Sequence, residues 1–196
     1  MKNEEAHAAW ERLKPNTHFA VGQLADLIAD DNGSADAVFG AYMVAKKDLA
    51  RSMQELLRST LPPSRPAFEE LRSRISQSLQ ERFGDRVPQK YLAVPYDTVA
   101  NQDLFGLLHE HLGQPVETTV LRAVNADDIH TERRIRELRE MGLRLEAAKR
   151  DGVGYYVLKS LDLDPDQMKA LVVKAIKKSS APEPEQNRLI GILEEC

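Results

Sequence analysis

Glu132-Arg133-Arg134-Ile135-Arg136-Glu137-Leu138-Arg139-Glu140-Met141-Gly142-Leu143, with Gly152-Val153-Gly154-Tyr155-Tyr156-Val157-Leu158 a few residues later, is the stretch that decides the fold. Its first part has a helical period. At about 100° per residue Ile135 and Leu138 fall together, with Thr131 and Gly142 nearby, so that stripe is expected to pack inward. Arg133, Arg136, Glu137 and Glu140 lie opposite, and Arg134 and Arg139 flank the stripe. Gly142 ends the helix, and the period then switches to two, with Leu143, Leu145 and Ala147 alternating with Arg144, Glu146 and Ala148. A turn over Lys149-Arg150-Asp151-Gly152-Val153-Gly154 leads to a second strand, Tyr155 to Lys159. Glycines between two alternating segments predict a β-hairpin, because they tolerate positive φ.

Upstream, Asn101 to Leu112 reads as a helix with Leu104, Phe105, Leu107, Leu108 and Leu112 on its apolar side and Gly113 as its stop. Gln114 to Glu117 is a short extended piece, Thr118 to Val124 a brief helix, and Asn125 to Asp128 a tight polar turn. Helix, short strand, helix, turn, helix and hairpin within about sixty residues is the element order of a winged helix-turn-helix domain. Val116-Glu117-Thr118-Thr119-Val120-Leu121-Arg122-Ala123-Val124, the stretch from Glu132 to Leu143 and the Gly152 to Leu158 strand together resemble that superfamily. The likeness extends to winged helices of bacterial transcription regulators and equally to those attached to restriction-type nucleases. It covers residues 99–160 and implies double-stranded DNA as partner. His130 and Thr131 stand where such helices approach bases. Arg133, Arg134 and Arg136 would meet guanine edges or phosphates in the major groove. Arg144, Lys149 and Arg150 on the hairpin would meet the adjacent backbone.

Charge is compatible with this without demanding it. The 196 residues carry a net −4, but residues 131–150 hold seven basic and four acidic side chains. The acidity belongs to the rest of the chain, so the total excludes a general nucleic-acid coat and not a local basic surface. The same helix also fits a solvated surface laced with pairs such as Glu132–Arg136 and Arg136–Glu140, and Glu137 and Glu140 would repel phosphates if they faced DNA.

The first half is helical. Glu4 to Leu13 is expected to end before Pro15, followed by Val21 to Ala29, a long helix from Ser34 with Ser34 as its cap, and Pro66 to Phe83 stopped by Gly84. Phe19 to Ser34 reads as part of an ordinary helical hairpin, not a second DNA-reading motif. Proline marks three breaks, at 61–66, 87–97 and 181–185, the middle one an extended linker or short strand. The expected architecture is therefore mainly α: a helical domain over 1–86, a linker over 87–98, a winged helix-turn-helix with a two-stranded β-hairpin wing over 99–160, and a helical extension over 161–196.

Catalytic and metal-binding sets are absent from the pattern. His109 and His111 stand about 200° apart on a helix and cannot share one metal from one face. Asp162, Asp164 and Asp166 lack the glycine and glutamate of a calcium loop, and Asp164 or Asp166 is expected to cap the helix after Pro165. Gly22, Gly33 and Gly40 precede no Gly-Lys-Ser/Thr, and Asn32-Gly33-Ser34 is a turn. The single cysteine, Cys196, gives no disulfide framework, and no signal peptide or membrane span is expected, which fits a cytoplasmic protein without cofactor. The apolar stripes after Asp166 are expected either to cover the winged domain or to pair two chains, and the Phe68 to Phe83 helix is the other candidate for pairing a homodimer. Function on these grounds is DNA binding without enzymatic activity, as a transcription regulator or as a DNA-recognition component of a restriction or mobile-element system. The alternatives are a protein-interaction module on a winged-helix fold and the recognition domain of a restriction-type nuclease.

Overall fold

The computed structural model describes residues 2–194, so Cys196 lies outside the described residues. The chain forms two compact units, residues 1–63 with 118–131, and residues 64–117 with 132–196.

The first unit is dominated by an antiparallel pair of long helices, α1 (Lys2–Ala29) and α2 (Ala35–Thr60). Pro15 does not end α1 as expected; the helix runs through it. Proline removes one hydrogen bond and crowds the carbonyl a turn earlier, but Pro15 is on the exposed side, where water can reach that carbonyl. Two residues on, Thr17 is buried on the seam and its hydroxyl donates to the carbonyls of Leu13 (3.0 Å) and Asp48 (3.4 Å). The expected cap of α2 is present: Ser34 Oγ accepts from the Ala37 amide at 3.2 Å. α5 (Thr118–Ala123) and the turn after it belong to this unit. Gln54 Nε2 donates to the Val124 carbonyl at 2.9 Å, and Asp127 lies 3.1 Å from Arg122 and 3.9 Å from Lys46.

In the second unit α3 (Ser64–Phe83) packs on α4 (Val99–Glu110). Phe68, Leu71, Ile75, Leu79 and Phe83 recur every three or four residues and all are buried. α3 is thus a core helix of this unit, not of an N-terminal helical domain. Its apolar stripe is occupied within the chain and unavailable for pairing two copies. Met168, Leu171, Val172, Ile176, Leu189 and Leu193, on α7 (Pro165–Lys177) and α8 (Glu183–Glu194), are likewise buried. Asp164, not Asp166, caps α7, accepting from the amides of Asp166 and Gln167 with Pro165 at the first helical position. The α3–α4 approach is close at Gly106, where a Cβ would stand 2.3 Å from the Ser64 Cβ.

Residues 87–97 form no strand. They hold a single 3₁₀ turn, Gln89–Tyr91, followed by irregular backbone in which Tyr96 stands at φ +64°. Tyr91 and Leu92 are buried, and the Arg72 guanidinium donates to the carbonyls of Val94 (2.8 Å) and Pro95 (2.6 Å), which ties this segment to α3.

The hairpin pairs β2 (Leu145–Arg150) with β3 (Val153–Leu158) through a two-residue turn, Asp151-Gly152, both at positive φ. The expected two-stranded wing gains a third strand: β1 (Pro115–Glu117) pairs antiparallel with β3, giving the order β1-β3-β2. The described residues are mainly helical, with this one small sheet among them.

Candidate nucleic-acid interface

The centre of the candidate interface is α6 (Thr131–Glu140). Asp128 organises its start, since its carboxylate accepts from the His130 amide (2.9 Å) and its carbonyl accepts from the Thr131 hydroxyl (2.8 Å). Thr131 is buried and engaged in this way, so it is withdrawn from base contact, whereas His130 is exposed. Gly142, at φ +96°, ends the helix with its amide on the Arg139 carbonyl at 2.8 Å.

The buried arc of α6 is wider than the Ile135–Leu138 stripe and is turned toward α4. It takes in Glu137, which is 5% exposed instead of facing outward. Three donors converge on that carboxylate: Arg133 Nε at 3.0 Å, Arg134 Nη1 at 3.0 Å and Asn101 Nδ2 of α4 at 3.1 Å. The same Asn101 amide donates to the Tyr96 carbonyl at 2.9 Å. Burial alone would raise the Glu137 pKa, but the bonds from Arg134, Asn101 and Arg133 outweigh it and hold the carboxyl below its ordinary value. Arg134 is therefore a structural partner with a largely covered side chain, while Arg133 stays exposed but is tied at one end.

Glu140 is also engaged. Lys174 Nζ of α7 lies 2.6 Å from its carboxylate and 3.0 Å from the Tyr96 hydroxyl, which itself donates to Glu140. Desolvation opposes ionisation of Glu140, yet the bonds from Lys174 and Tyr96 lower its pKa, and the same contacts raise that of Lys174. At the other end of α6, Glu132 accepts from the Tyr156 hydroxyl of β3. Burial, then the Glu132 contact, push the Tyr156 phenol up to about 12. The Arg139 guanidinium lies over the Tyr156 ring at 5.5 Å, and its Nε donates to the Leu145 carbonyl at 2.8 Å. The expected Glu132–Arg136 and Arg136–Glu140 pairs do not form, because each carboxylate has found a partner on another element. Arg136 is left exposed and without an ion-pair or hydrogen-bond partner among the described residues.

On the hairpin, Lys149 and Arg150 occupy the end of β2 instead of the turn itself. Their side chains project to opposite faces of the sheet. Lys149 shares a face with Leu145, Ala147, Tyr156 and Leu158, the side that meets α6 through Tyr156, and Arg150 shares the other with Val153. Both are exposed and neither has an ion-pair partner among the described residues. Arg144 is exposed but stands 3.6 Å from Glu146, which also holds Lys159 at 3.2 Å. Arg136, Lys149 and Arg150 are thus the cations least committed to the protein's own carboxylates. Sequence reasoning missed the buried role of Glu137; the signal for it was Asn101, a polar residue on the buried side of α4.

No group of His, Cys, Asp or Glu among the described residues is arranged to hold a metal ion. His109 stacks on Phe105 with ring centroids 5.4 Å apart, and His111 Nδ1 lies 2.9 Å from the Leu107 carbonyl, so both serve local packing. Among the described residues no helix is long and apolar enough to cross a membrane.

Residues 102–168 match the family model described as the KpnI N-terminal domain. The matched stretch runs from α4 through α6 and the hairpin to the start of α7. No curated protein and no solved structure matches the chain. Nothing in these comparisons points to transcription regulation, so the restriction-associated alternative is better supported.

Proposed function

We propose that this chain binds double-stranded DNA as the recognition component of a restriction-type system, with α6 directed at the major groove and the β2–β3 hairpin at the neighbouring backbone. The observation that carries this reading is the coincidence of the KpnI N-terminal domain match with the segment that holds α6 and the hairpin. Arg136 would meet base edges or phosphates, and Lys149 and Arg150 would meet phosphates, with Arg133 and Arg144 at the margin. The chief electrostatic objection is weakened. Glu137 is buried and Glu140 is neutralised by Lys174, so neither presents a free carboxylate to phosphate. In this proposal the chain recognises DNA without cutting it, and cleavage is supplied from elsewhere.

Salt dependence tests the electrostatic footprint. Three phosphate contacts predict an affinity loss of about 40-fold between roughly 50 and 200 mM salt. Titration of random and mixed-sequence duplexes at both salts, beside an Arg136→Glu/Lys149→Glu variant of unchanged circular dichroism, measures it. The proposal fails if the wild-type protein binds no duplex at the lower salt, or if the variant binds equally well. Cleavage in the same mixtures after adding magnesium would refute the non-catalytic part alone.

A further inference from the structure

Burial in the α1–α2 pair runs against side-chain size. The residues buried on these helices are small, Ala6, Thr17 and Ala20 on α1 and Ala45 and Ser52 on α2. Ile28, Phe39 and Met43 meanwhile expose 66%, 64% and 51% of their surface, and Tyr42, Leu49 and Met53 are exposed as well. On α2, Asp36, Gly40, Met43 and Lys47 are spaced by four, three and four residues and form one straight outward row, with Phe39 beside it. A Cβ at Gly40 would meet nothing within 4 Å, so no contact within the chain requires glycine there. In a helix interior glycine costs about 1 kcal/mol relative to alanine, and what it offers in exchange is close approach by another surface.

The row is symmetric under reversal of direction. If a second α2 lies antiparallel across the first, with a two-fold axis between Gly40 and Met43, each Met43 comes to the Gly40 of the other copy. Each Asp36 then comes to a Lys47 of opposite charge. Asp36 and Lys47 have no ion-pair partner among the described residues, and Lys46, next to the row, is within 3.9 Å of Asp127. Phe39, 64% exposed, lies beside Met43 on this face and adds apolar surface to the charge match.

We infer that the outward face of α2 is a self-association surface, on which a second copy of this chain packs antiparallel, Met43 over Gly40 and Asp36 beside Lys47. This is independent of the DNA reading and is measured without DNA. Sedimentation equilibrium of the full chain at micromolar concentration should give twice 22.1 kDa. Met43→Glu should weaken the pair by roughly tenfold or more while leaving helical content unchanged. Asp36→Lys and Lys47→Asp should each weaken it, and the double variant should recover wild-type association, a rescue that a merely destabilised helix would not show. A monomeric wild-type chain overturns the inference, as would be seen if the face instead receives a different protein or an apolar ligand. So does a dimer unaffected by Met43→Glu, or a double variant no better than the single ones.

Discussion

α6 and the β2–β3 hairpin carry similar charge but use it differently. On α6, Arg133 and Arg134 are bonded to the buried Glu137, Arg139 is bonded to the hairpin backbone, and Glu140 is bonded to Lys174. At the end of the hairpin, Lys149 and Arg150 have neither carboxylate nor carbonyl partner among the described residues. A buried or half-buried ion pair costs desolvation and is strongly destabilising when broken on one side only. An exposed, unpaired cation contributes almost nothing to folding and stays available to an external anion. The helix therefore spends most of its charge on its own position, and the hairpin keeps its charge for a partner. Arg136 is the exception on the helix.

The most damaging way to challenge this division is Glu137→Ala, which leaves Arg134 and Asn101 facing an empty site. It should cost about 3 kcal/mol of unfolding free energy in a denaturant titration. A cost near zero would mean the arginines of α6 are as free as those of the hairpin. Next comes Lys149→Glu/Arg150→Glu, expected to lower duplex affinity by about 10- to 100-fold with the melting temperature unchanged. A lowered melting temperature with unchanged affinity would reverse the roles of the two regions. Tyr156→Phe removes the link from β3 to Glu132 and should cost about 1 kcal/mol of stability, with little effect on DNA affinity.

Two smaller effects depend on pH. The folded-state pKa values of Glu137 and Glu140 are lowered, so their contribution is fully present above the ordinary carboxylate range, near 4.5. It is lost as pH falls through the lowered values. Unfolding measured from pH 7 down to 3 should show stability dropping below about 4.5, and Glu137→Gln should flatten that drop. A drop unchanged in Glu137→Gln would remove Glu137 from the account. At the alkaline end the raised Tyr156 favours the folded state up to its ordinary value of 10, and that contribution fades as pH rises toward about 12. In a tyrosinate absorbance titration the late-titrating Tyr156 phenol should move down in Glu132→Gln, while that of Tyr96, also raised by burial and by Glu140, stays; no movement would detach the hairpin from the start of α6.

Where spacing alone determines a structure, the sequence is informative. The steps from Phe68 to Phe83, the Gly142 stop, the Asp164 and Ser34 caps and the switch from helical to alternating period all depend on residues a few positions apart. Pro15 departs from expectation because the local cost of proline is outweighed by the packing of α1 on α2, which keeps the helix continuous. β1 has no signature of its own as a strand, since three residues carry no period, and only pairing with β3 makes them one.

The candidate site divides along the same line. By itself the sequence determined that a helix rich in arginine precedes a hairpin with Lys149 and Arg150 at its end, because identity and order are local properties. Only the tertiary structure decided which of those charges remain free. Asn101 lies thirty-six residues from Glu137, Lys174 lies thirty-four from Glu140, and Tyr156 lies twenty-four from Glu132. A helical wheel contains no neighbour from another element, and it is those neighbours that bury Glu137, occupy Glu140 and leave Arg136 open.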